Sequence, residues 1–409
     1  MNKLLFVFLL LGYSALVGAQ TLDDYLKEAA ENNPGLLAKY KVFEAAMQQT
    51  AKVGSLPDPN LAFGYFISPV ETRVGPQQAK FSLTQMFPWF GTLRAQEEAA
   101  TFMAEAKYQE FLDARNKLYY QVSAAYFPLY ELQKLIEIEE ANLQILTGYK
   151  DVTSVKYEND QGSLVDLLRI DIMEKDAKTN LSILRKKRAP MESQFNALLN
   201  RPDSLKVPVD TTYQISSIDD NFLKDSLTVG NPVLDQLSLK IKASEAQEKA
   251  AKRQGMPNLG IGLDYVIVGE RTDMNVPDNG QDAIMPMLSV SLPIYRKKYK
   301  AARQEAQLMQ EAYTLQHQDM SNRLISSYEM IRFEMIKQVE LNRLYQQQAI
   351  ESRQSLNLLY TSYGNSGKDF EEVLRMQQQV LKYERLSVNA IRAFLIARAE
   401  LDYVTAKQN

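Results

Sequence analysis

The chain carries a single histidine, His317, and no cysteine, which removes disulfides, thiolate nucleophiles and thiolate metal sites. His317 sits in Leu315-Gln316-His317-Gln318-Asp319, a polar stretch that reads as a solvated helix face rather than a catalytic or metal-binding position. Fifteen methionines, among them Met274, Met285 and Met287, offer thioethers that could hold a soft ion, but the commoner use of Met is to fill irregular packing gaps. Gly260-Ile261-Gly262 lies in an alternating, strand-like stretch with no helix after it, so it is not a dinucleotide-binding loop. No nucleophile-and-base set, metal-ligand spacing or phosphate loop is present, and neither a catalytic residue nor a cofactor is assigned. The basic runs Arg185-Lys186-Lys187-Arg188 and Arg296-Lys297-Lys298 resemble nucleic-acid patches in composition only. With a net charge of -3 over 409 residues, no nucleic-acid partner is indicated. The acids Asp166, Asp369 and Glu372 each lie where a helix begins, and acids there gain about 0.3 to 1 kcal/mol from the helix dipole.

The elements that must position these residues begin after an export signal. Lys3, the apolar run Leu4 to Val17 and the small pair Gly18-Ala19 form a secretory signal peptide, residues 1–19, with cleavage expected after Ala19. The run is too short to span a bilayer, and Thr21-Leu22-Asp23-Asp24 then opens a new helix with capping chemistry. No later segment has the pattern of a membrane-spanning helix, so any membrane crossing must be made by β-strands in a closed barrel.

The rest of the chain reads as one unit written twice. Asn33-Pro34 and Pro59-Asn60-Leu61 recur 198 residues later as Asn231-Pro232 and Pro257-Asn258-Leu259. Phe87-Pro88-Trp89 recurs 205 residues later as Leu292-Pro293-Ile294. Tyr157-Glu158-Asn159 with Asp166-Leu167-Leu168 recurs 206 residues later as Tyr363-Gly364-Asn365 with Glu372-Val373-Leu374. The spacing divides the mature chain into a first repeat over 20–205 and a second over 206–409.

Between the boundary prolines of each repeat the pattern alternates strictly, the mark of a strand with two different faces. Leu61, Phe63, Tyr65 and Ile67 oppose Asn60, Ala62, Gly64 and Ser68. Leu259, Ile261, Leu263, Tyr265 and Ile267 oppose Asn258, Gly260, Gly262 and Asp264. The return strands alternate likewise, which predicts β-hairpins over 58–88 and 257–293 with loops at Pro69 to Gln77 and Gly269 to Asp282. A soluble sandwich also alternates, but a face of Asn, Gly, Ser, Asp and Lys suits a water-filled lumen, and the opposite face suits lipid. Four strands are too few to close a barrel, since about eight are needed, so several chains must share one; strand count allows a dimer or a trimer.

Each hairpin is followed by a long stretch nearly free of Gly and Pro, which predicts helical hairpins over 92–200 and 297–406. Sixty helical residues reach on the order of 90 Å, beyond the needs of a compact domain. Pro128 should kink the first of these helices. The turns are expected at Glu158 to Ser163 and Gly364 to Lys368.

A signal peptide, a duplicated unit, a short β-hairpin and a much longer helical hairpin together resemble the TolC-like outer-membrane efflux proteins. The resemblance is carried by the two Asn-Pro helix starts, the Pro-x-Leu segment before each first strand, Phe87-Pro88-Trp89-Phe90-Gly91, and turns made of an aromatic, a glycine and an acid followed by two apolar residues. It implies a mixed, mainly α fold, in which long antiparallel helical hairpins form an α-barrel and four strands per chain contribute to a shared transmembrane β-barrel. It further implies a homotrimer in outer-membrane lipid with its helices in the periplasm, bound to a periplasmic adaptor and an inner-membrane pump and carrying metal ions or drugs passively. The turns would form the periplasmic entrance and touch the adaptor through Tyr157, Gly162, Ser163, Leu164, Asp166, Tyr363, Gly364, Lys368 and Asp369. The constriction would fall on Glu372, with Arg375 where a second acid is often seen. Two other readings stay open, an envelope coiled-coil scaffold without a pore and the channel of a type I protein secretion system.

Overall fold

The computed structural model describes residues 20–215, 227, 229–366 and 370–407. The signal peptide 1–19 and the site candidates Lys368 and Asp369 lie outside the described residues. The order of elements is α1 (Leu22–Asn32), α2 (Pro34–Gly54), β1 (Asn60–Thr72), β2 (Gly75–Phe87), α3 (Thr92–Glu158), α4 (Leu164–Leu198), α5 (Pro232–Gln254), β3 (Asn258–Val268), β4 (Ala283–Ser291), α6 (Arg296–Ser366) and α7 (Phe370–Val404). After α1, the sequence helix, two strands, two helices therefore occurs twice. No helix among the described residues is long and apolar enough to cross a membrane.

The helices start where their chemistry requires. Thr21 caps α1: its side chain accepts from Asp24 N, and the Asp24 carboxylate accepts from Thr21 N at 2.9 Å, satisfying two donors that a helix start leaves open. Asn33 and Asn231 explain the repeated Asn-Pro. Asn33 Oδ1 accepts from Leu36 N at 3.0 Å while its Nδ2 donates to Leu198 O at 2.8 Å, and buried Asn231 donates to Val404 O at 3.1 Å. In each half one asparagine thus binds the last turn of that half's final helix, α4 or α7. Helix α3 continues through Pro128 over its 67 residues.

The chain forms two compact units, and each draws on both halves. One unit joins Lys39–Leu112 to Pro232–Ser321 and holds the sheet. Its strands lie in the order β1-β2-β3-β4, all neighbours antiparallel, so the two hairpins meet through β2 and β3, and among the described residues nothing pairs with the outer edges of β1 and β4. The loop over Gly269 to Asp282 stands as expected, between the end of β3 and the start of β4. The loop expected over Pro69 to Gln77 does not: β1 runs to Thr72 and β2 begins at Gly75, leaving only Arg73 and Val74 between them. Pro69 is tolerated because β1 is an edge strand and its register shifts between Tyr65 and Val70. Gly75 has φ +132, and a Cβ there would lie 1.8 Å from Gly269 O, so glycine is required where the two hairpins touch.

The other unit joins the described residues of 20–38, 113–231 and 322–407. Its core is made by α3, α4, α6 and α7: Leu146, Tyr149, Ile170, Tyr363, Phe370 and Val373 form one cluster, and Leu132, Ile136 and Leu181 another. Tyr149 stacks on Tyr360 at 5.0 Å and meets Phe370 edge-on at 5.8 Å. Buried Glu139 is paired with Arg385, and Glu131 with Arg392 at 3.1 Å, so polar ties fix α7 against α3 where apolar packing alone would let it slide.

Candidate functional site

The first helical turn is built by its sequence residue by residue. Gln161 N donates to Lys156 O at 2.8 Å and Asp160 N to Tyr157 O at 3.1 Å, the double closure of a Schellman end, with Asp160 in the left-handed region at φ 58. Gly162 then folds back on α3, where an added Cβ would come within 3.0 Å of Tyr157 N and 3.1 Å of Lys156 Cβ. Ser163 caps α4, its Oγ accepting from Val165 N at 3.1 Å, and Asp166 sits in the first turn, 3.7 Å from Arg169. Tyr157, Leu164, Val165 and Leu168 are all exposed, so this tip carries an apolar surface.

The second turn is arranged the other way. Tyr363 is buried, its ring 4.7 Å from that of Phe370, and burial raises its hydroxyl above the ordinary phenol range, with the Thr153 hydroxyl partly offsetting this. Gly364 closes no tight contact. Glu372 is half exposed and paired with Arg375 at 2.8 Å, so the candidate constriction acid already has a cation one turn away.

The two helical hairpins are tied at these turns. Lys156 Nζ donates to Tyr363 O at 2.6 Å and lies 4.2 Å above the Tyr363 ring, placing a cation at the carbonyl end of α6 where the helix dipole is negative. Arg169 meets Glu371 at 3.0 Å. One layer further in, Lys150 bridges α3 to α4 through Asp171 at 2.5 Å and Glu174 at 3.2 Å. Its ammonium is held above the usual lysine range chiefly by the hydrogen bond to Asp171. Hydrogen bonds from Lys178 and Lys150 hold the Glu174 carboxyl below the usual carboxylate range. Among the calls from sequence, the structure therefore groups Tyr157, Gly162, Ser163, Leu164 and Asp166 at one exposed tip and places Tyr363 inside the core. Sequence reasoning missed Lys156, Arg169 and Glu371, although a basic and an acidic residue beside each turn were a visible signal.

The sheet, in the other unit, is a candidate surface of its own. On one face Leu61, Phe63, Tyr65, Ile261 and Leu263 are exposed, with Ile67 and Leu288 93% and 88% accessible. On the other face Lys80 pairs with Asp264, which is fully buried beneath its neighbours. Gly260 is hemmed in there by Ser289 Oγ and Met86 Sδ, which a Cβ would approach to 2.2 Å and 2.5 Å. Met285 and Met287 stand on this same polar face, opposite Asp264 and Gly262. The arrangement can offer water one polar surface and a non-aqueous medium the other.

Neither a protein-family model nor a curated relative matches the chain. Solved structures do. The outer membrane protein VceC from Vibrio cholerae is 17% identical, with 94% of this chain and 95% of that chain aligned at a TM-score of 0.76. CusC, solved in work on its folding and transmembrane channel formation, is 14% identical over 94% of this chain and 91% of that chain, at a TM-score of 0.79. The MtrE outer membrane channel of Neisseria gonorrhoeae, solved in its open state, is 16% identical over 94% of this chain and 88% of that chain, at a TM-score of 0.75.

Proposed function

We propose that this chain, which has the fold of the TolC-like outer-membrane channels, is the outer-membrane subunit of a tripartite efflux system and a passive conduit for small solutes. The observation that carries this reading is the four-stranded sheet, open at both edges, with large apolar side chains exposed on one face and Lys80, Ser82, Thr84 and Asp264 on the other. An exposed apolar face of this kind has no stable place in water, and four strands cannot close on themselves. Three copies give twelve strands, above the eight or so a closed membrane barrel needs. The polar face then lines a lumen.

In this reading the mature protein is a homotrimer of the outer membrane with its helices in the periplasm. The exposed tip of Tyr157, Gly162, Ser163, Leu164 and Asp166 receives a periplasmic adaptor, which connects to an inner-membrane pump that chooses the cargo. The ties from Lys156 and Arg169 to the second hairpin hold the entrance. Glu372, with Arg375 beside it, lies at the constriction and biases its charge. Planar-bilayer conductance of the purified oligomer tests the whole: a water-filled pore is expected, with Glu372→Ala lowering cation preference and Arg375→Ala raising it. A chain that forms a stable oligomer without conductance would instead favour the scaffold, and permeability ratios unchanged in both variants would remove the constriction.

A further inference from the structure

We propose that the end of the sheet where β2 and β4 lead into α3 and α6 is a seat for anionic phospholipid headgroups, gripped by Arg296, Lys297 and Lys298 above an apolar anchor of Phe90, Ile294 and Tyr295. The proposal rests on the reading of the sheet as membrane-embedded, and adds to it a lipid class and the residues that select it.

The geometry places both exits side by side. Asn258, at the start of β3, accepts from Trp89 N through Oδ1 at 3.3 Å and donates its own N–H to Ser291 Oγ at 3.3 Å, so it ties the ends of β2 and β4 to one strand. Each exit is also pinned to the end of α5: Arg253 donates to Gly91 O at 2.6 Å, and Arg296 donates to Gly255 O at 3.3 Å. Gly91 has φ +74, and a Cβ there would fall 1.7 Å from Arg253 Nη1, so the turn after Phe90 is fixed by glycine and guanidinium together. On this rigid rim Phe90, Ile294 and Tyr295 are 77%, 69% and 78% exposed. They extend the run of exposed apolar side chains just past the strand ends, the level that aromatic residues occupy at a membrane–water boundary.

The charge carried by β4 and the start of α6 is one-signed, although Asp58 is exposed before β1 at the same end of the sheet. From 283 to 304 the sequence has no acidic residue and five basic ones, Arg296, Lys297, Lys298, Lys300 and Arg303. Arg296, Lys297 and Lys298 are exposed and form no ion pair among the described residues; Arg296 keeps further guanidinium donors beyond its bond to Gly255, and Lys298 lies 4.7 Å from the Tyr299 ring. Of the acids near these exits, Glu98 is paired with Arg94 at 3.1 Å and Glu248 with Arg303 at 2.9 Å. At the opposite end of the sheet the balance reverses, with Glu71, Glu270, Asp273, Asp278 and Asp282 against Arg73 and Arg271. A cationic ring directly beyond an apolar belt matches a phosphate-bearing headgroup above its acyl chains, and continuity with the lipid-facing strands selects a lipid over an acidic protein.

The test uses the full oligomer reconstituted into phosphatidylcholine vesicles with and without phosphatidylglycerol, and reads the association of spin-labelled phosphatidylglycerol relative to spin-labelled phosphatidylcholine. Each Lys or Arg at such a surface favours an anionic lipid by about five-fold, from about 1 kcal/mol per cation. The parent protein is expected to prefer phosphatidylglycerol by that order, and Arg296→Gln/Lys297→Gln/Lys298→Gln to bring the ratio close to unity. Lys297→Arg/Lys298→Arg keeps the preference, as does Lys186→Gln/Lys187→Gln on α4. Should the triple variant fail to assemble, Lys297→Gln/Lys298→Gln, which leaves Arg296 in place, carries the same expectation with a smaller drop. A parent without preference, or a preference untouched by the Gln variants, overturns the proposal. So does a preference abolished by inorganic phosphate but not by chloride at equal ionic strength, which would assign the ring to free phosphate. No insertion into either vesicle would remove the membrane reading itself, whereas insertion into both without preference removes only the headgroup seat.

Discussion

Strand β1 and helix α7 are both rich in large apolar side chains and turn them in opposite directions. In α7, Phe370, Val373 and Phe394 are almost wholly enclosed, whereas in β1 Leu61, Phe63, Tyr65 and Ile67 stand in the open. Helix α7 hides its apolar stripe because water surrounds it, the ordinary behaviour of an amphipathic helix. The strand keeps its polar residues on the opposite face, so the same physics gives the reverse result only if its medium is not water. On the proposed reading, the difference assigns each part of the molecule its solvent.

The comparison breaks first in the buried helical core. Phe370→Ala should destabilise the helical core by about 3–5 kcal/mol, read by thermal melting of the detergent-solubilised oligomer, because it leaves a cavity between Tyr149 and Tyr363. Leu288→Ala on the sheet should change the same melt by less than about 0.5 kcal/mol. Next, Leu288→Arg should cost about 2–4 kcal/mol when folding is measured into bilayers, whereas Ala62→Arg on the polar face should fold normally and alter conductance. Equal penalties on both faces would contradict the assignment. At the first turn, Ser163→Ala should cost about 1 kcal/mol by removing the cap of α4, leaving melts of the sheet unchanged. A pH dependence of the helical core completes the set. Burial pushes the Tyr149 hydroxyl from 10.0 up to about 12, so the folded chain holds a proton that the unfolded chain releases, and stability is full below pH 10 and declines between 10 and 12. Melts across that range should decline less steeply in Tyr149→Phe, with Tyr403, which burial also pushes up to about 12, keeping part of the slope.

Much of this contrast was legible in the sequence because alternation and helical spacing are local signals. The faces of all four strands, the loop over Gly269 to Asp282 and the turn at Glu158 to Ser163 follow from residues a few positions apart. Pro69 misled because proline marks a turn unless it falls on an unpaired edge, and edge status is set by partners distant in sequence. Tyr157 and Tyr363 occupy matching places in the repeated pattern, yet one is exposed and the other enclosed by Phe370 and capped by Lys156. Repetition conveys position along the unit and says nothing of which copy meets the core. The bonds from Asn33 to Leu198 and from Asn231 to Val404 were likewise hidden, since the repeat marks the asparagines without naming their acceptors.

The absence of cysteine from the chain allows the central claim to be tested directly. Single cysteines placed in turn from Asn60 to Ser68 in the assembled protein in membranes can be probed with a water-soluble maleimide and with collisional quenching by a lipid-dissolved agent. The account predicts a period of two: Asn60, Ala62 and Gly64 react from water, and Leu61, Phe63 and Tyr65 are reached only from lipid. Uniform labelling from water, or a pattern with a period near 3.6, would contradict it.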